Sequence, residues 1–288
     1  MVADPDRTSR ETKGPFLREI VMKTIVFAML AVAGLAAAAN AQVFNAVLVD
    51  GDARFTLGTN ASAIGNGADT TFSVNGIAGP SHLSSAWWWV RVDGTDLRES
   101  AVYQPSGVTV TQASANQIRI VYNYANRFDL VVQFAVSGFE FGYGSLTQTV
   151  SIRNRSGSAK TFNLFNYNNV NVLGTPNDDS AQATGPQTIE FTDGAFPNTT
   201  ATYEATNAIR VEGTSLVRDL LTNASIDDLS GGVVNAGPGD LEVGSQFSFT
   251  LGNNGVQSVS TTLTIIPTPG AVALMALGGL FAARRRRA

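Results

Sequence analysis

The chain has 288 residues, with 19 basic and 23 acidic side chains, one histidine and no cysteine. This composition excludes disulfide bonds and cysteine-ligated zinc, and a single histidine makes a histidine-based metal cluster or a catalytic triad a poor expectation. Over residues 42–266 the balance is more acidic, with 19 acidic against 10 basic side chains. That excess of negative charge disfavours nucleic acid and anionic lipid surfaces as partners.

The first 41 residues predict a helical secretion signal preceded by a short extra segment. Residues 22–41 begin with Met22 and Lys23 and continue as an apolar stretch that ends in Ala39-Asn40-Ala41. Such a pattern predicts cleavage by signal peptidase, so that the exported protein begins at Gln42. Residues 1–21 are charged and lack a repeating apolar face. We interpret them as an upstream start-site artefact; the alternative is a genuine extended n-region, which leaves the route unchanged.

Residues 42–266 predict an all-β body. Val, Thr, Phe, Asn, Ser and Gly dominate it, and its segments alternate apolar and polar residues between Gly, Asn and Asp turns. Three hairpins are expected, pairing 118–124 with 128–136, 145–154 with 160–172, and 246–251 with 256–266. One short helix is expected near residues 215–224. Two packed antiparallel sheets, a β-sandwich, follow most simply from this pattern.

A tryptophan-rich strand, AWWWVRVDG, suggests a binding surface. Strand alternation places Trp88 on one face and Trp87, Trp89 and Arg91 on the other. If Trp88 faces the core, the two other indoles and the guanidinium form a platform on which sugar rings could stack. Two alternatives remain open at this point: the sheet packs on both sides, or Arg91 lies over Trp89 and covers the domain edge.

Adjacent carboxylates suggest a cation site. Asp178 and Asp179 lie in a predicted loop, where carboxylate, amide and backbone oxygens could bind calcium. Turn formation and helix capping explain aspartates in such loops equally well. A glycosidase pair could be drawn from the same kinds of carboxylate, but nothing in the sequence selects two of them. No other cofactor is expected.

The C-terminal 22 residues predict a sorting segment with a transmembrane-like helix. Pro267, Thr268, Pro269 and Gly270 form a turn, and an apolar run over 271–283 is followed by Arg284, Arg285, Arg286 and Arg287. A helix of that length covers only about 20 Å of a hydrocarbon core about 30 Å thick, so the membrane anchor is weak and suits a temporary hold. The arginines would remain cytoplasmic. The alternative is a buried C-terminal helix with a solvated basic tail.

The chain resembles the PEP-CTERM proteins of exosortase systems in two features. It has an N-terminal signal, and its C-terminus has the order Pro-x-Pro-Gly, short apolar helix and arginine cluster. The resemblance covers Pro267 to Ala288 and concerns sorting, and Thr268 stands where the family motif has Glu. It implies recognition by a membrane-embedded exosortase, removal of the helix and arginines, and delivery to the cell surface or its polysaccharide matrix.

Two function classes remain. The expected one is a non-enzymatic surface or matrix protein whose β-sandwich binds polysaccharide or neighbouring copies. The alternative is a secreted carbohydrate-active enzyme on a similar scaffold. Because no convergent catalytic set is visible in the sequence, we expect that the chain is not an enzyme. A cleft with two carboxylates about 5–10 Å apart would favour the alternative.

Overall fold

Antiparallel β-structure makes up nearly all of the regular structure. The computed structural model describes residues 44–59, 68–74, 79–103, 108–139, 142–197, 199–214, 216–231 and 236–267. Within these ranges the chain forms seventeen strands, one α-helix and one short 3-10 helix. The strands form two sheets in which each neighbouring pair is antiparallel. The predicted all-β sandwich is confirmed for the body.

The first sheet has the order β1-β2-β3-β4-β10-β16-β14, with a short strand β5 beside β4. Its strands are β1 (Phe44–Asp50), β2 (Ala53–Thr59), β3 (Ala68–Ser73), β4 (Leu83–Val92), β5 (Ser100–Ala101), β10 (Lys160–Val170), β14 (Arg210–Thr214) and β16 (Leu241–Leu251).

The second sheet has the order β15-β11-β12-β13-β17-β9-β8-β7-β6. Its strands are β6 (Val108–Ser114), β7 (Gln117–Tyr124), β8 (Phe128–Gly138), β9 (Gly144–Asn154), β11 (Asp179–Gly185), β12 (Thr188–Asp193), β13 (Thr199–Thr206), β15 (Ala236–Gly239) and β17 (Val256–Pro267). The 3-10 helix is Val172–Gly174, and the α-helix, α1, is Val217–Thr222 within the predicted helical segment.

The core lies between the two sheets. Alternating residues of β8 and β9 are buried, as the sequence predicts, including Phe128, Leu130, Val132, Phe134, Val150 and Ile152. Aromatic rings of the two sheets meet there: Phe55 stacks on Phe134 with ring centroids 5.2 Å apart, and Phe128 contacts Phe162 edge-on at 5.7 Å. Removal of this apolar area from water supplies the main favourable term in folding.

Two of the three predicted hairpins are wrong. Strands β7 and β8 do pair across Ala125 and Asn126. In contrast, β9 belongs to the second sheet while β10 belongs to the first, and β16 and β17 divide in the same way. The connections at residues 155–159 and 252–255 therefore cross between sheets. Alternation shows which face of a strand is buried, but it does not show which strand lies beside it.

The first sheet is also covered on its outer face. Helix α1 packs there on β16, where a Cβ built on Gly244 would lie 2.6 Å from Val217 Cγ1. The absence of a side chain at Gly244 therefore permits the close approach of the helix. Because both faces of its central strands are covered, β10 is buried along most of its length.

Both predicted targeting segments lie outside the described residues. These include the cleavage residues Ala39, Ala41 and Gln42 and all sorting residues from Thr268 to Arg287, whereas Pro267 is the last residue of β17. Within the part of the chain that the structure describes, no helix is both long enough and apolar enough to cross a membrane.

Candidate functional site

Three chain turns meet at one end of the second sheet. They are the β7–β8 turn, the β9–β10 crossing and the β16–β17 crossing. Backbone hydrogen bonds join them: Arg155 N donates to Arg127 O at 2.8 Å, and Asn254 N donates to Asn154 O at 2.9 Å. Asn126 and Asn254 adopt left-handed backbone conformations, with φ of 60° and 63°. Asparagine tolerates this region well, so the sequence is compatible with these tight turns.

The side chain of Asn154 fixes two of these turns to each other. It is fully buried, and its Nδ2 donates to Ser158 O at 2.7 Å and to Leu251 O at 2.8 Å. Its Oδ1 accepts from Ser156 N at 2.9 Å. A buried amide with its hydrogen bonds satisfied holds backbone segments in one arrangement. The turns therefore form a fixed frame for the side chains that they carry.

Between these turns lies a polar depression, which we call the hairpin-end groove. Its volume is about 510 Å³. Its lining is mostly amide, carboxylate and guanidinium side chains, contributed by Asn123, Ala125, Asn126, Asp129, Arg155, Gly157, Asn253 and Asn254.

A second depression adjoins the groove on the outer face of the second sheet, and we call it the valine hollow. It has a volume of about 330 Å³ and shares Asn123 and Asp129 with the groove. It is lined by Arg119, Val121, Asn123, Asp129, Val131, Ser151, Ile152, Arg153 and Val256. The two depressions thus form one continuous surface along the ends of β7, β8, β9 and β17.

Ion pairs and amides order the wall between the two depressions. Arg155 Nε donates to Asp129 Oδ2 at 2.7 Å, and Arg153 Nη2 donates to Asn254 Oδ1 at 3.2 Å. The Nε of Arg153 is buried and has no hydrogen-bond partner among the described residues. Oδ1 of Asp129 likewise accepts no hydrogen bond from them. Asp129 Oδ1 therefore retains hydrogen-bonding capacity at this surface, and Arg153 Nε is an unpaired donor beneath it.

This arrangement is suited to binding hydroxyl-rich molecules. Carboxylate, amide and guanidinium groups supply several acceptors and donors in a small area. Of the described residues that line the two depressions, Asp129 is the only carboxylate. The paired carboxylates of a typical glycosidase are therefore not among them.

The predicted sugar platform on β4 is not a surface. Trp87, Trp89 and Arg91 are 1%, 1% and 6% exposed. Trp87 Nε1 donates to Val102 O at 2.9 Å, and Trp89 contacts Tyr167 edge-on at 5.8 Å. The platform prediction is wrong because other segments of the chain cover the sheet on this side. This agrees with the alternative in which the sheet packs on both sides.

Arg91 is instead the centre of a buried ion cluster. It forms ion pairs with Glu99 and, at 2.8 Å, with Asp228, and its guanidinium lies 5.5 Å from the ring centre of Phe165. Burial lowers the pKa of Arg91, but the hydrogen bonds to Asp228 and Glu99 outweigh burial and raise it. The cluster joins β4 to the segment after α1: the Arg91–Glu99 pair is buried, and Asp228 lies at the edge with 44% of its side chain exposed.

The two predicted cation ligands, Asp178 and Asp179, differ in their exposure to solvent. Asp179 is fully buried, whereas Asp178 is half-buried, and Asp179 faces Asp193 across the β11–β12 pair. Burial raises the pKa of Asp179 to about 8, with nearby carboxylates adding to the rise and a hydrogen bond from Val172 N opposing it. No group of three or more His, Cys, Asp or Glu among the described residues is arranged for a metal. Calcium at Asp178 and Asp179 stays a prediction.

The single histidine is buried against the 3-10 helix. His82 is fully buried, and its Nδ1 accepts a hydrogen bond from Leu173 N at 3.1 Å. Burial lowers the pKa of His82 to about 4, so the ring is neutral at physiological pH. The loop sequence GPSHLSS favours a solvated position for this histidine, and that expectation is wrong, because His82 packs against the 3-10 helix.

The groove itself was not predicted from the sequence. Its residues appear in the sequence as turn formers in RSGSA and GNNG and as the Ala125-Asn126 turn. The one sequence feature that could indicate the groove is that asparagine and arginine are concentrated at three separate turns. Only the crossing of β9–β10 and β16–β17 between sheets brings these turns together.

No family model matches this chain, and no curated protein matches its sequence. Among solved structures, it is similar to a candidate aldose 1-epimerase from Escherichia coli K12, with 10% identity, a TM-score of 0.48, and 78% of this chain and 100% of that chain covered. A bacterial glucoamylase complexed with acarbose has 9% identity and a TM-score of 0.48, with 87% of this chain and 37% of that chain covered. An aldose epimerase homologue from C. elegans has 8% identity and a TM-score of 0.45, with 79% and 100% covered.

The expectation that the chain is not an enzyme is contradicted by these neighbours, which are described as aldose epimerases and a glucoamylase. That expectation depended on the lack of a catalytic set in the linear sequence. Folds bring catalytic side chains together from distant strands, so a search along the sequence misses them. The non-enzymatic assignment is withdrawn. At these identities and TM-scores the likeness concerns the arrangement of strands and assigns no role to any residue.

Proposed function

We propose that this chain is a carbohydrate-handling protein that holds a saccharide in the hairpin-end groove. The observation that carries the proposal is the groove's polar lining on a fixed frame. Sugar hydroxyl groups need paired donors and acceptors, which Asn123, Asn253 and Asp129 provide. Because the hydrogen bonds of Asn154 already order the turns, little entropy is lost when a ligand binds.

Calorimetric titration of the full-length chain with oligosaccharides tests this proposal. Asn123→Ala removes an exposed amide from the groove and should weaken saccharide binding by about tenfold, the loss expected for one hydrogen-bonding side chain. Asn45→Ala is the matched control, because Asn45 is also an exposed strand asparagine but lies on β1. Equal loss in both variants, or no binding of any saccharide by the unaltered chain, would contradict the proposal.

A carbohydrate-active enzyme is the second candidate, and Asp129 is the observation that favours it. The carboxylate lies on the wall shared by both depressions, where Arg155 binds one oxygen and the other accepts no hydrogen bond from the described residues. A carboxylate so placed could accept the proton of the anomeric hydroxyl as the C1–O5 bond breaks and the C1 carbonyl forms, with solvent water protonating the ring oxygen. Exchange NMR of anomers, with Asp129→Asn as the variant, tests this. Exchange at the buffer rate in both proteins would exclude it.

We also propose that the chain is exported and sorted by an exosortase-type system to the cell surface or extracellular matrix. The support is the sequence alone: the signal-like segment ending at Ala41 and the arginine cluster after residue 283. Signal peptidase and an exosortase would be its partners during export, and anchoring in the membrane would be transient. Mass spectrometry of exported protein should find Gln42 as the first residue. Peptides from residues 1–21 on that protein would contradict the proposal.

A further inference from the structure

We propose that the saccharide held at this site is negatively charged, of the uronic-acid class, and that the valine hollow selects it. This inference rests on the proposed carbohydrate function and names its ligand class. The sugar ring lies on the apolar floor of the hollow, while arginines at its edges bind the carboxylate groups.

Charge distribution is the first support. Within residues 42–266 there are 10 basic and 19 acidic side chains. The lining of the two depressions has the opposite balance, with Arg119, Arg153 and Arg155 against Asp129 alone. A local positive site on an acidic body attracts small anions while the rest of the surface repels them. The site is therefore matched to a charged ligand rather than to a neutral one.

The floor of the hollow is the second support. Val121 pairs with Val131 on the neighbouring strand, and both side chains are half-buried on the outer face. Val256 is 59% exposed at the adjoining edge. These side chains form a small apolar patch bounded by arginines. A pyranose ring has an apolar face of comparable character, so burying that face against valine removes apolar area of both from water.

Strand register places the arginines around this floor. Arg153 lies directly opposite Asp129 on one side and Val256 on the other. Arg119 is on the same face of β7 as Val121 and lies opposite Gln133, so it is two strands across and four residues along from Arg153, roughly 10 Å and 13 Å at the usual strand dimensions. Two guanidinium groups thus flank the floor at different points. This spacing suits successive charged sugar units better than a single small anion.

An unsatisfied donor is the third support. The buried Nε of Arg153 has no hydrogen-bond partner among the described residues, although its Nη2 bonds to Asn254 Oδ1 at 3.2 Å. A buried donor left unpaired is unfavourable, and a rotation of the Arg153 side chain on ligand binding would bring its N–H groups to a ligand carboxylate at the hollow. Guanidinium groups bind carboxylates through paired N–H donors, which makes arginine well suited to this recognition.

The test compares two ligands that have the same sugar backbone and differ in the charge of their carboxyl groups. Calorimetry with the full-length chain uses oligogalacturonate and its fully methyl-esterified, neutral form. We expect the charged oligomer to bind at least about tenfold more tightly, since charge-assisted hydrogen bonds to a carboxylate are stronger than those to a neutral ester. Raising the salt concentration from about 0.05 M to about 0.5 M should reduce this preference, because exposed charges are screened.

Substitutions test which arginines cause the preference for the charged oligomer. Arg119→Gln and Arg153→Gln should each remove most of the preference for the charged oligomer over its methyl ester. Arg98→Gln is the matched control, because Arg98 is an exposed arginine that lines neither depression and is bonded to Asn223 O at 2.9 Å. Thermal melts of all three variants show whether each one is folded.

The outcomes separate this inference from the proposed function. If the methyl ester binds as tightly as the charged oligomer, the inference is overturned and saccharide binding stands. If neither oligomer nor any other saccharide binds, both proposals are overturned. Equal binding of polyglutamate of matched charge, or an equal loss in Arg98→Gln, shows attraction to charge alone and also overturns the inference.

Discussion

Tyr203 of the second sheet donates its phenolic hydroxyl to Asn166 Oδ1 of the first sheet at 3.0 Å, in the middle of an otherwise apolar interior. Asn166 also donates to Gln148 Oε1 at 3.1 Å and accepts from Asn168 and Thr261. All of these side chains are 0–1% exposed. The two sheets are therefore joined by a buried polar network as well as by apolar packing, and such a network restricts how they can be aligned.

Removing the centre of this network should destabilise the fold strongly. Asn166→Leu leaves the hydrogen-bonding groups of Gln148, Asn168 and Tyr203 without this partner in a buried setting. At about 1–3 kcal/mol for each orphaned group, we expect the free energy of unfolding to fall by at least about 3 kcal/mol. Urea denaturation measures it. Asn253→Ala, an exposed groove asparagine, is the control and should change stability by less than about 1 kcal/mol.

The Arg91 cluster predicts a charge-specific loss of stability. The side chains of Arg91 and Glu99 are 7% and 1% exposed, so Arg91→Met leaves a buried carboxylate without its cation. We expect a loss of about 3–5 kcal/mol, much of it recovered when Glu99→Gln is added. Arg127→Met is the control, because it breaks an ion pair with Asp96 in which the arginine side chain is 47% exposed. It should lower the free energy of unfolding by no more than about 1 kcal/mol. Equal losses in the two arginine variants would contradict a buried-charge effect.

Gly138 is predicted to tolerate no side chain. A Cβ built there would lie 1.8 Å from Asp50 O, a backbone atom that cannot move without shifting the β1–β2 turn. Gly138→Ala should therefore lower the free energy of unfolding by roughly 2–3 kcal/mol, as overpacking does. Gly239→Ala is the control, because a Cβ at Gly239 meets no atom within 4 Å. A thermal melt in which both variants behave alike would show that this contact is unimportant.

Buried Asp179 should make stability fall as pH rises. Its folded-state pKa of about 8 lies above the unfolded value, so between these values the native state holds a proton that the unfolded state has released. His82 acts oppositely between about pH 4 and 6.5, because its folded-state pKa is lowered to about 4. The window from pH 6.5 to 8 therefore excludes the His82 contribution; Glu242, whose pKa burial also raises, acts in the same direction as Asp179, so the Asp179 variant is needed to separate them.

In that window, the melting temperature of the unaltered chain should fall with pH, and that of Asp179→Asn should fall less. Asp52→Asn controls for the removal of a carboxylate that is exposed. Parallel profiles for the unaltered chain and Asp179→Asn would show that this carboxyl group does not control the pH dependence.

Local patterns in the sequence determined the strands and one of the pairings. The β7–β8 hairpin could be predicted because alternation and a tight turn are properties of neighbouring residues. The buried face of β9 followed for the same reason, since Val150 and Ile152 alternate with polar residues. The predicted export segments likewise depend on residue order alone.

Only the tertiary structure decided which sheet each strand joins and which faces are covered. Alternation cannot distinguish a hairpin from a crossing, so β10 and β17 were assigned the wrong neighbours. It also cannot show that other segments enclose Trp87 and Trp89. The groove depends on the same long-range contacts, because the turns around Asn126, Arg155 and Asn254 are distant in sequence and meet only when the crossings join the two sheets.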